Sequence, residues 1–173
     1  MERIARVWIG NDYVEFEFED NNDWTEDELY EAAVYVMTNG LLNILTEDLE
    51  EDAHLTMGSN GFPAIDAIIG DLNCRLSYFP VGDTDTDRFL LMLRTAVLSG
   101  GDEADQTGRM LSCESFNVGS VFGTAVFIPT AGSVEYRVSI PERGGMADPE
   151  DYRFILNMMK ESVNELTELL EDR

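Results

Sequence analysis

The sequence predicts an α+β fold: an antiparallel β-sheet with two long helices packed on it. Three stretches carry that reading. Residues 121–128 and 134–140 are apolar or alternating segments of strand length, joined by a short turn. Residues 148–170 form a capped amphipathic helix, and residues 29–45 carry a second apolar stripe at helical spacing.

The closing unit is the clearest. Val134, Tyr136, Val138 and Ile140 alternate with Glu135, Arg137 and Ser139. That period of two puts apolar and polar sets on opposite faces, as in a half-buried antiparallel strand. Segment 121–128 is apolar on both faces except at Thr124, which predicts a place near the middle of the sheet. Gly132 supplies the turn between them. Asp148 caps the following helix, Pro149 suits its first position, and Glu150 and Asp151 complement the positive end of its dipole. Tyr152, Ile155, Leu156, Met159, Val163, Leu166 and Leu170 then form one stripe, expected on the inner face of the sheet.

Upstream, residues 4–9 and 13–19 predict a hairpin turning at Gly10-Asn11-Asp12. Thr25 and Glu28 make a capping box, and Trp24 with Leu29 a hydrophobic staple, opening a helix whose stripe runs through Gly40 to Leu45. The acidic run 47–52 marks a solvated boundary. Phe62-Pro63-Ala64-Ile65 is read as the start of a short helix ending at Gly70. Residues 72–80 and 88–98 predict a second hairpin, although 89–93 fits a buried strand or a helix equally well. Residues 110–117 fit a short helix or an extended lead-in. A hairpin followed by helical or connecting sequence thus recurs up to three times, without demonstrable sequence repetition. One domain is expected over residues 1–173, its N-terminal hairpin and helix spanning 1–52.

Composition narrows the function classes. The apolar fraction of 44% supports a real core. Thirty-five acids face eleven bases for a net charge of −24, and Lys160 is the only lysine. Such a surface repels nucleic acid and anionic membranes. It fits either a solvated acidic shell, as in a salt-adapted proteome, or an acidic face for a basic partner. No apolar run approaches the ~20 residues of a membrane span, and MERIARVWIG lacks the apolar region of a signal peptide. A cytoplasmic protein is expected, with Cys74 and Cys113 as buried thiols.

No catalytic constellation stands out, and no cofactor or metal is expected. His54 is the only histidine, and is read as a partly exposed strand or loop residue. Asp83, Asp85 and Asp87 have the spacing that opens a calcium loop, but Arg88 occupies the position that needs glycine. Gly100-Gly101 is followed by acids and makes no phosphate loop.

With the order of elements in view, the chain resembles the YbjN family of sensory transduction regulators, whose members share the fold of type III secretion chaperones. The resemblance covers a core from about 72 to 171. It rests on a strand pair, then Ser115-Phe116-Asn117, then Phe122-Gly123-Thr124-Ala125-Val126-Phe127. A turn follows, then Val134-Glu135-Tyr136-Arg137-Val138-Ser139-Ile140-Pro141, the Gly144-Gly145 loop and the acidic C-terminal helix. It implies a non-enzymatic, dimeric, protein-binding domain, with the N-terminal hairpin as a departure from the chaperone pattern. The function expected is therefore a chaperone-like or regulatory interaction domain, a homodimer that binds a protein partner. Its groove is expected to use exposed apolar residues such as Trp8, Met158 and Met159. The alternative is a carboxylate-based enzyme or small-ligand binder, for which Asp66 and Asp71 are the acids best placed for partial burial.

Overall fold

The computed structural model describes residues 3–9, 12–18, 26–58, 61–81, 88–100, 105–143, 145–146 and 148–171. The N-terminal hairpin is present: β1 (Arg3–Ile9) pairs antiparallel with β2 (Asp12–Phe18). Helix α1 (Glu26–Asn43) runs through the buried Gly40 and continues into a π-helical turn, Ile44–Asp48. Then come β3 (Asp52–Met57), β4 (Pro63–Ile69), β5 (Leu72–Pro80) and β6 (Arg88–Leu98). Helix α2 (Gln106–Gly119) precedes β7 (Thr124–Ile128), β8 (Ser133–Arg143), β9 (Gly145–Met146) and helix α3 (Pro149–Glu171). The class is α+β as the alternation predicts, with three helices on the sheet where two were expected. Trp24, Thr25, the aspartates of 83–87 and Gly144 lie outside the described residues, and with them the cap, staple, hairpin-tip and loop readings.

Six strands form one antiparallel sheet in the order β3-β4-β5-β6-β8-β7, and β2-β1-β9 form a smaller one in which β9 runs parallel to β1. Register explains which face of the large sheet is covered. Ile65, Leu76, Leu93 and Val138 lie directly opposite one another on β4, β5, β6 and β8. All four are buried, as are Ile69, Tyr78, Leu91, Val134 and Tyr136 of the same face. Helix α1 packs on β3, β4 and β5, α3 on β6, and α2 on β7 and α3. The α3 stripe points inward as expected: Tyr152, Leu156, Met159, Val163 and Leu166 are buried, with Ile155 and Leu170 packed at its border. Asp148 Oδ1 accepts from the Glu150 amide at 2.9 Å, which confirms the cap.

Three expectations change. Segment 62–70 is a strand and not a helix. Ile65, Ala67 and Ile69 alternate with Asp66 and Ile68, and neighbours on both sides satisfy the backbone of β4. The middle hairpin is thereby a four-stranded meander. Segment 121–128 is shorter and lies at the sheet edge: Val121 is 97% exposed, and the strand starts only at Thr124. The strand needs no second sheet neighbour, because α2 packs against its free edge. Residues 110–117 are the body of α2, a longer helix than its polar sequence announces. Segment 89–93, open between strand and helix, is strand.

Two side chains of the quoted resemblance segment hold this edge. The Asn117 amide accepts from Ala125 N–H at 2.8 Å and donates to Ala125 C=O at 2.9 Å, standing in for a neighbouring strand. Gly123, at φ +73°, lets the Tyr136 hydroxyl reach Phe122 C=O. A Cβ at 123 would collide with that hydroxyl and with Arg137 C=O. Gly123→Ala is expected to destabilise by about 2–4 kcal/mol, from left-handed strain and the displaced hydroxyl, read as a lowered denaturation midpoint.

Candidate functional site

The face of the large sheet opposite the helices carries an open groove of about 530 Å³. It runs across the strands, and its lining includes Asp52 and His54 of β3, Asp66 of β4, Arg75 of β5, Arg94 of β6 and Glu135 of β8. A β-bulge at Val97, between Ala96 and Leu98, shifts the β6–β8 register beside it. Bulges sharpen local twist and bend the strand, which suits a concave floor at this place.

One residue pair row sets the electrostatics. His54, Asp66, Arg75, Arg94, Arg137 and Thr124 lie directly opposite one another across all six strands. Arg75 grips Asp66 with two bonds, Nε to Oδ1 at 2.7 Å and Nη2 to Oδ2 at 2.8 Å. That guanidinium holds the Asp66 carboxyl below its ordinary range, and the carboxylate in turn raises Arg75. Arg137 donates through Nε and Nη2 to Glu135 Oε2, at 3.0 and 2.8 Å, two positions back on its own strand. Between these two neutralised arginines stands Arg94, half-buried, with no ion pair among the described residues. Like charges directly opposite across strands repel. The pairing of its neighbours leaves Arg94 as the uncommitted cation of the row.

Neither acid considered for proton transfer is both buried and free. Asp66 is locked as an ionised partner of Arg75, and Asp71, the other acid expected to be partly buried, is exposed at the β4–β5 turn. Burial pushes the Cys74 thiol up to about 12, so it stays protonated and weakly nucleophilic near neutrality. Cys113 is likewise buried. No group of three or more His, Cys, Asp or Glu is placed to hold a metal ion among the described residues.

No protein-family model matches this chain, and no curated protein matches it. The site therefore rests on its own geometry.

The residues singled out as exposed groove candidates do not converge. Met159 is 0% exposed and belongs to the core, because it falls on the inward stripe of α3. Met158, one position on, is half-buried. Neither residue lines the groove on the opposite sheet face. Trp8 lies in β1, whose backbone alone is described, opposite Tyr13 of β2 and beside Gly145 of β9. Arg94 and the cross-strand row were missed. The signal was faint: Arg75 and Arg137 occupy the polar phase of alternating strands, Arg94 ends an apolar run, and only the register makes the three neighbours.

A second constellation is fully internal. Tyr78 Oη donates to Glu142 Oε2 at 2.9 Å and Tyr152 Oη to Oε1 at 2.7 Å, with the two hydroxyl oxygens 3.2 Å apart. This cluster joins β5, the end of β8 and the first turn of α3, so it is a structural fastening. Burial raises the Glu142 carboxyl above its ordinary value, against the two hydroxyl hydrogen bonds that lower it, and burial also raises Tyr78. A carboxyl raised in the folded state keeps its proton to higher pH there than in the unfolded chain. Its stabilising contribution is complete below the ordinary carboxylate value and is lost as pH rises through the raised value. Glu142→Gln is expected to remove that slope. The difference in unfolding free energy between wild type and variant, followed by denaturant titration from about pH 4 to about pH 8, should shift in the variant's favour as pH rises. A constant difference would show that Glu142 titrates alike in both states.

Proposed function

We propose that this chain is a non-enzymatic interaction domain that binds a polypeptide partner in the groove on the sheet face opposite the helices. The observation that carries the reading is the groove itself. It spans five strands, has a floor fixed by the register of the core rows behind it, and holds Asp66 and Glu135 each in an ion pair. Pockets with a few convergent polar groups in a preformed wall are ordinary ligand sites. The resemblance to the YbjN family, and through it to type III secretion chaperones, supports a protein-binding role on independent sequence grounds. A chaperone-like or regulatory module, dimeric and cytoplasmic, is the form of that role we propose. No helix is long and apolar enough to cross a membrane among the described residues. The carboxylate-enzyme alternative is the weaker reading, since Asp66 is held ionised by Arg75 and Asp71 faces solvent.

Ala96 is exposed and lines the groove beside Arg94. Random peptides selected on the immobilised full chain are expected to lose binding to an Ala96→Trp variant that keeps wild-type circular dichroism. Peptides that bind the variant equally well would place recognition elsewhere, and a failure to select any would remove the proposal.

A further inference from the structure

We infer that Arg94 is the anchor of this groove and that the partner segment entering it presents a carboxylate side chain there. The inference deepens the reading of the groove as a binding face, and rests on it. Three of the eleven basic residues of a chain with net charge −24 are aligned in one row of this face. Two of them are neutralised by their own carboxylates at 2.7 and 2.8 Å. The third is held between them, half-buried, with no ion pair among the described residues. A guanidinium presents a rigid fork of donors matched to a carboxylate, and a partly desolvated one gains most from filling it.

The acidic surface does not preclude an acidic ligand. Asp52, the groove's remaining carboxylate, lies on β3, three strands from Arg94. At about 4.8 Å per strand that is roughly 14 Å of lateral separation, beyond the ~8 Å over which charges act at physiological ionic strength. Asp66 and Glu135, which are nearer, are each held by an arginine. With those pairs offset, Arg94 is the charge of the row left without an ion pair among the described residues. An acidic face for a basic partner, the sharper reading of the composition, does not describe this groove.

The probes are succinate and inorganic phosphate, titrated at constant ionic strength into the isotopically labelled full chain while the arginine Nε–H resonances are followed. Succinate is expected to shift the Arg94 resonance saturably. Arg94→Gln should weaken the response of neighbouring amides by about tenfold or more, and Arg94→Lys by less, because lysine lacks the fork. Arg153→Gln, the same charge change on the exposed side of α3, should leave it intact. An unmoved Arg94 resonance, or equal responses in Arg94→Gln and wild type, overturns the inference. Tighter binding of phosphate than of succinate overturns its assignment to a carboxylate. Groove-selected peptides supply the separate arm. They should carry Asp or Glu and lose affinity for Arg94→Gln. Peptides that are blocked by Ala96→Trp but indifferent to Arg94→Gln would sink the anchor and leave the groove reading standing. If no peptide is selected, the groove reading falls, and the succinate titration still decides whether Arg94 takes a carboxylate.

Discussion

The structure depends on a single constraint: the apolar side chains of β4, β5, β6 and β8 are in phase across the sheet. Ile65, Leu76, Leu93 and Val138 form one buried row, and the pairing of each strand with the next fixes that row's position. A slip of one residue anywhere would turn a strand's apolar set to water and its polar set into the core. The helices follow from this, since a continuous apolar face must be covered. So does the groove, because the row of polar residues on the other face is the same register seen from behind. Groove and core are thus coupled through the backbone.

Coverage of one face leaves edges to manage. At the β7 edge, α2 lies against the strand, and Asn117 supplies the donor and acceptor that a further strand would give. Arg109 binds across this region: it bonds to Gly100 C=O and Gly132 C=O while paired with Asp105 at 3.1 Å, so the start of α2 is tied to the β7–β8 turn. Ser112 joins α2 to the C-terminal end of α3 through Leu169 C=O at 3.0 Å. At the opposite side Lys160, the only lysine, reaches Glu51 at 3.9 Å and covers Gly70 of the β4–β5 turn. The β3 edge has β4 as its one strand neighbour in the large sheet among the described residues, and Met57 there is 57% exposed. Open edges of this kind are where a second chain can add a strand.

Much of the fold was legible because its strongest signals are local. The cap at Asp148 and the stripe of α3 need only the sequence within one helix. The alternation of 72–80 and 134–140 likewise needs only one strand. The misread segments are those where tertiary context decides. Residues 63–69 are a short apolar run whose strand character comes from two flanking neighbours, and a run of that length looks the same in a helix. Segment 124–128 is apolar at every position but Thr124, which imitates a central strand, yet it lies at the sheet edge beside α2. Met159 falls both among the exposed groove candidates and on the core stripe, and the stripe decides its position. The groove was not legible at all. Its row joins residues 54, 66, 75, 94, 137 and 124, and no window of sequence contains them together.

Folding alone does not account for the placement of Arg94. A solvent-facing position at the centre of an antiparallel sheet accepts most polar or β-branched residues, and threonine or serine there would avoid repulsion with the arginines on either side. The chain instead places a third guanidinium between two, then offsets only the flanking pair, with Asp66 on one side and Glu135 on the other. Stability alone would favour either a third carboxylate or no charge. An arginine that the fold leaves unneutralised, in a molecule with three times as many acids as bases, is the observation on which the proposed carboxylate anchor stands.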